Sequence, residues 1–82
     1  MSNVLVFSRA HDKAFLRRHA RRMASFRPKQ AEGHLVRLLD QQRGTLRRRG
    51  ITEDVIKAEL AAIEGGIRGE LWKVVLLRGG TA

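Results

Sequence analysis

The chain has no cysteine and no tyrosine, a single proline (Pro28), and only four aromatic rings, Phe7, Phe15, Phe26 and Trp72. Without cysteine there is neither a disulfide nor a thiolate zinc site, so 82 residues must hold together by burial alone. At this length, apolar burial and chain ordering come out near balance, which points to self-association as the source of extra stability. Absent cysteine also fits a reducing compartment. Long apolar runs are missing: Val4-Leu5-Val6-Phe7 is too short for a signal peptide, and nothing approaches the roughly 20 apolar residues of a bilayer span. These absences predict a soluble, cytoplasmic protein with no membrane partner.

Acids are scarce too. Eight Asp+Glu face 17 Lys+Arg, for a net charge of +9, while 43% hydrophobic content is ordinary for a folded domain. The imbalance is confined to one part of the chain. Residues 1–50 hold all but four of the basic residues (the exceptions are Lys57, Arg68, Lys73 and Arg78) and only three acids, Asp12, Glu32 and Asp40. Residues 51–82 are close to neutral. This asymmetry predicts a polyanion-facing half and a packing half. Most of the bases are arginine, whose planar fork pairs with phosphate in bidentate fashion.

Periodicity predicts a single all-α domain over residues 1–82: a three-helix unit behind a short N-terminal arm over 1–9. Helix one spans 10–26, helix two 28–49, helix three 52–77, and 78–82 form a frayed tail. In helix one, Phe15, Leu16, His19, Ala20, Met23 and Ala24 fall in one arc at about 100° per residue, with Lys13, Arg17, Arg18, Arg21 and Arg22 opposite. Ser8 or Asp12 would cap it. Pro28 closes helix one and opens helix two, whose stripe is Ala31, Leu35, Leu38, Leu39, Gln42 and Leu46. Gln42 there is a solvated edge or a register-setting polar group. Gly50 follows Arg47-Arg48-Arg49 as a C′ glycine, with cations at the negative end of the dipole.

Helix three starts at Thr52-Glu53-Asp54 and shows two apolar faces. One is Ile56, Leu60, Ile63, Ile67, Leu71 and Val74. The other is Ala58, Ala62, Gly65, Gly69, Trp72 and Leu76, predicted to form a homodimer interface. A break at Gly65-Gly66 would instead make Leu71–Leu77 a strand pairing with Val4–Phe7. The expected core is Leu35, Leu38, Ile56, Ile63, Ile67 and Trp72.

Chemistry is sparse. His11, His19 and His34 lack zinc spacing, the acids read as scattered on exposed faces, and Arg78-Gly79-Gly80 has no helix after it to make a phosphate loop. His19 reads as a satisfied interface histidine. The expectation is no catalytic residue, no metal and no cofactor. Binding is better supported: Lys13, Arg17, Arg18, Arg21 and Arg22, with Arg47, Arg48 and Arg49, could neutralise phosphates without choosing sequence. Aromatics are too few to stack single strands. Residues 52–71 loosely echo a helix-turn-helix, and a strand before two helices loosely echoes a ribbon-helix-helix repressor. Neither template supplies a base-reading surface.

Four strings, Val4-Leu5-Val6-Phe7, Arg17-Arg18-His19-Ala20-Arg21-Arg22-Met23-Ala24, Leu46-Arg47-Arg48-Arg49-Gly50-Ile51 and Glu70-Leu71-Trp72, resemble a small family of uncharacterised basic proteins from rhizobial α-proteobacteria. Gly65, Gly66 and Gly69 depart from its pattern. The resemblance implies a bacterial source and no function. The residues themselves predict a small non-enzymatic nucleic-acid-binding or regulatory protein that contacts DNA or RNA phosphate through an arginine-rich helix face. An adaptor or inhibitor docking on an acidic protein is the alternative.

Overall fold

Asp12 decides where the first helix begins. In the computed structural model, which describes residues 8–79, its backbone is extended and its Oδ1 accepts the Phe15 N–H at 3.1 Å, capping α1 (Lys13–Ala24). That backbone bond, with smaller help from Arg9, holds the Asp12 carboxyl below its usual pKa. A one-turn 3₁₀ helix over Arg9–His11 precedes the cap, so α1 starts at Lys13 rather than at residue 10. The predicted arm lies outside the described residues over 1–7. Within it, Ser8 is extended, but Arg9 already belongs to the 3₁₀ turn.

Pro28 is the first residue of α2 (Pro28–Arg48), where its missing N–H costs nothing. The other end is closed by Gly50 at φ +80°. The Ile51 N–H reaches Leu46 O at 3.1 Å and the Gly50 N–H reaches Arg47 O at 3.0 Å, the paired bonds of a Schellman ending. The third helix, α3, runs unbroken from Glu53 to Gly79. It has no turn at Ala61-Ala62, which removes the helix-turn-helix template, and residues 71–77 are helix, which removes the strand alternative. There is no strand among the described residues.

Contacts set the topology. The Ser8 end meets Glu59, Leu16 meets Gly66, and Arg17 meets Glu70, so α1 runs parallel to α3, with α2 descending between their ends. Gly66 sits at the α1–α3 crossing: a Cβ there would lie 2.8 Å from Leu16 Cδ1, so its bare backbone lets the helices close up. One core cluster joins Phe15, Leu16, Ala20 and Met23 of α1 to Ala31, Leu35 and Leu38 of α2 and Ile63 and Ile67 of α3. A second, at the far end, holds Leu46, Ile51, Ile56 and Leu60. Ile63 and Ile67 are fully enclosed, and cutting such a side chain to alanine costs about 2–5 kcal/mol.

Trp72 is not part of either core. It is 65% exposed, because the enclosed face of α3 is the 56-60-63-67 stripe and Trp72 lies on the opposite side. Two acids occupy that enclosed side instead of the solvent: Glu59 and Glu70 are both buried. Glu59 accepts the Ser8 hydroxyl at 2.8 and 3.0 Å and the Ala10 N–H at 3.4 Å. Glu70 accepts Arg17 Nε at 3.3 Å and Lys73 Nζ at 3.2 Å. No helix among the described residues is long and apolar enough to cross a membrane.

Candidate nucleic-acid interface

With Phe15, Leu16, Ala20 and Met23 turned inward, α1 has no choice but to present Lys13, Arg17, Arg18, Arg21 and Arg22 to solvent, and all five are exposed. Their electrostatic states differ. Arg17 leans over the α1–α3 seam to Glu70, whose carboxyl is held below its usual pKa by Lys73 first and by Arg17 as well, against its burial. Lys13, Arg18, Arg21 and Arg22 make no ion pair among the described residues. Arg18 instead lies 5.9 Å from the centre of the Phe15 ring and Arg22 5.7 Å from that of Phe26. A ring face attracts a guanidinium without cancelling its charge, so both remain full cations at the surface.

The cluster at the end of α2 is divided. Arg47 turns toward α3 and binds Glu53 through both Nε and Nη2, at 2.9 and 3.0 Å. That pair lowers the Glu53 pKa and raises that of Arg47, so Arg47, unlike Arg48 and Arg49, faces a carboxylate. Arg48 and Arg49 are exposed and make no ion pair among the described residues; Arg48 Nη2 reaches only Thr45 Oγ1, at 3.4 Å. Arg49 lines a recess with Arg9, His11, Gln42 and the buried Glu59, which brings it beside the N-terminal end of α1. Gln42 is half-buried on the wall of the same recess.

Carboxylate pairing is concentrated on the opposite flank. Arg68 of α3 bridges Glu32 of α2 at 2.8 and 3.0 Å and Glu64 at 3.1 Å, and Arg43 meets Asp40 at 3.5 Å. The Arg68 pair depresses the Glu32 pKa. Charge is thus sorted: most ion pairs lie along α2–α3, while on the α1 side Arg9 meets Asp12 at 3.1 Å and Arg17 meets Glu70, leaving Lys13, Arg18, Arg21 and Arg22 without an ion pair among the described residues.

Sequence reasoning missed the centre of that seam. His19 Nδ1 and His34 Nε2 are 3.0 Å apart, joining α1 to α2. Phe15 packs edge-on to His19 with centroids 4.7 Å apart, and Phe26 does the same to His34 at 5.8 Å. Burial lowers both imidazole pKa values, reinforced around His19 by His34 and then Arg18, Arg22 and Arg9, and around His34 by Arg22 and Arg37. His34 lies on the arc of α2 adjoining its apolar stripe, but a contact fifteen residues away has no local signature. Among the described residues, no three His, Asp or Glu side chains gather as metal ligands.

The predicted dimer residues Ala58, Ala62, Gly65, Gly69, Trp72 and Leu76 are all exposed on one outward face of α3.

Fold and surface together define a small all-helical, up-down-up unit with an arginine-rich outer helix. The chain belongs to a family of unknown function (DUF6074), whose model matches residues 1–82. No curated protein and no solved structure matches it.

Proposed function

We propose that this protein is a non-enzymatic nucleic-acid-binding protein that grips the phosphate backbone through the outer face of α1. The carrying observation is that Lys13, Arg18, Arg21 and Arg22 share one exposed helix face with no carboxylate partner among the described residues, while Arg68, Arg43 and Arg47 are compensated elsewhere. A bound polyanion would exchange its condensed counterions for these guanidinium groups, giving affinity that depends on salt rather than on sequence. Arg48 and Arg49 extend the footprint past the N-terminal end of α1, and Arg37 borders it on α2. The experiment is a salt-titrated shift assay with duplex DNA and with duplex RNA. Binding is expected at low salt, with log K falling linearly in log salt at a slope near −0.9 per phosphate contacted on DNA. No binding at low salt would overturn this reading and favour an acidic protein as partner.

Pairing of two copies through the outward face of α3 suits this role. Ala58, Ala62, Gly65, Gly69, Trp72 and Leu76 form a charge-free strip on a chain of net charge +9, so a second copy meets no cation there. In an antiparallel pair centred on Gly65, the large Trp72 of one chain falls against the partner's Ala58, matching bulk to a gap. The twofold axis of such a pair is perpendicular to both α3 helices and to the line joining them. Both α1 helices then lie on one side of the dimer, doubling the basic surface available to a single polymer.

A further inference from the structure

The α1–α2 seam carries a feature that phosphate contact alone does not use. Four guanidinium groups, from Arg9 of the 3₁₀ turn, Arg18 and Arg22 of α1 and Arg37 of α2, surround two imidazoles that share one hydrogen bond. The rings are held between Phe15 and Phe26, and no carboxylate among the described residues pairs with either. We infer that polyanion binding at this edge is proton-linked: the His19–His34 pair takes up a proton when phosphates arrive, so the protein binds nucleic acid more tightly as pH falls. The inference rests on the phosphate-binding reading of α1.

The reasoning starts from the shared bond. One ring nitrogen donates and the other accepts, so the neutral pair is satisfied and carries no charge. A single added proton keeps that bond, since the protonated ring donates from the facing nitrogen while its neighbour still accepts. The bond becomes charge-assisted. A second proton would place two N–H groups face to face, so the pair holds one extra proton and not two. What opposes that proton in the free protein is burial first, then the partner imidazole and the cations Arg18, Arg22 and Arg37; Arg9 adds least and is itself paired with Asp12 at 3.1 Å. Phosphates lying along Arg18, Arg22 and Arg37 cancel the cationic part of the opposition. By linkage, whatever eases protonation on binding also strengthens binding on protonation, to the same extent. With one proton at stake, affinity rises by at most about tenfold per pH unit within the titration window.

The chain has three histidines; His11 lies outside the pair but shares a recess with Arg9 and Arg49, so the control for the pair is the His34→Gln variant. Imidazole Cε1–H signals, assigned with His11→Gln, His19→Gln and His34→Gln, are followed across pH 5–8 with and without saturating duplex DNA at low salt. The expected result is a rise of the pair's midpoint by half a pH unit or more on binding. Shift-assay affinity of the unmodified protein should rise as pH falls from 7.5 to 5.5, by up to about threefold for a half-unit midpoint shift, and His34→Gln should remove most of that rise. A pair midpoint that does not rise on binding overturns the inference while leaving phosphate binding intact. An affinity gain that survives in His34→Gln does the same. Absence of duplex binding at every pH overturns both.

Discussion

Arg17 Nε lies 3.3 Å from Glu70 Oε1, and this one contact separates Arg17 from the three other arginines of the same helix face. Glu70 is 7% exposed and is shared with Lys73, so the guanidinium of Arg17 is tethered to the α1–α3 seam. Arg18, Arg21 and Arg22 have no such anchor among the described residues. Four side chains that read alike in sequence are thereby divided into one that joins helices and three that are free to meet a ligand.

Substitution should expose that division. Arg18→Gln, Arg21→Gln and Arg22→Gln are each expected to weaken duplex binding and to reduce the salt slope by about 1 where a phosphate contact is lost, with little change in melting temperature. Arg17→Gln should do the reverse, lowering the melting temperature while sparing most of the affinity. Salt-titrated binding isotherms beside thermal melts of the four variants measure both quantities.

Acid should lower the stability of the protein in two stages. Both imidazoles of the His19–His34 pair have folded pKa values below the ordinary value of about 6.5, so the unfolded chain binds more protons just beneath it. Their contribution is complete above pH 6.5 and is lost as pH falls through the lowered folded values. The carboxylates of Asp12, Glu32, Glu53 and Glu70 are also depressed, and their contribution is lost only below the ordinary carboxylate range, near pH 4. Urea midpoints across pH 3–8 should therefore fall first below 6.5 and again below about 4.5. His34→Gln should flatten the first step and leave the second.

The pattern of what could be read from the chain follows from locality. Pro28, Gly50 and the alternation on α1 act within a turn or two of their own positions, so they mark helix ends and faces directly. The 56-60-63-67 stripe of α3 is likewise a local period, and it is the one the core uses. Trp72 was expected both in the core and on the pairing face, but α3 has two apolar faces and α1 and α2 cover only the one without Trp72. The destinations of charged groups were the least legible. Arg47 to Glu53, Arg17 to Glu70 and His19 to His34 depend on which seams close, and separations of 6, 53 and 15 residues leave no periodic trace.

The glycines of α3 provide a test of that packing. Gly65 and Gly69 have open space where a Cβ would stand, whereas Gly66 faces Leu16 at 2.8 Å. Replacing an unhindered helical glycine by alanine stabilises a helix by up to about 1 kcal/mol. At concentrations where the chain is monomeric, Gly65→Ala and Gly69→Ala should each raise the melting temperature. Gly66→Ala gains the same propensity but must displace a side chain that is itself buried, so it should fall short of both and Gly66→Val should lower the melting temperature. Equal gains at all three positions would mean that α1 does not cross α3 at Gly66.

Trp72 is the only tryptophan, and its position on the outward face of α3 makes it a direct reporter of pairing between copies. In a lone chain its indole is mostly in water and should emit like free tryptophan. If two chains pair antiparallel about Gly65, the indole is covered by the partner's small residues, and emission should shift to the blue as concentration rises. Light scattering should return twice the chain mass over the same range. Ala62→Arg sets a buried cation in that interface with no carboxylate to meet it, and a charge enclosed without a partner is strongly unfavourable. The variant should stay monomeric and folded, because Ala62 is exposed within its own chain. A concentration-independent emission together with a single-chain mass would refute the pairing. Phosphate binding by α1 would then stand as the act of a monomer, with half the basic surface per complex and a correspondingly shallower dependence on salt.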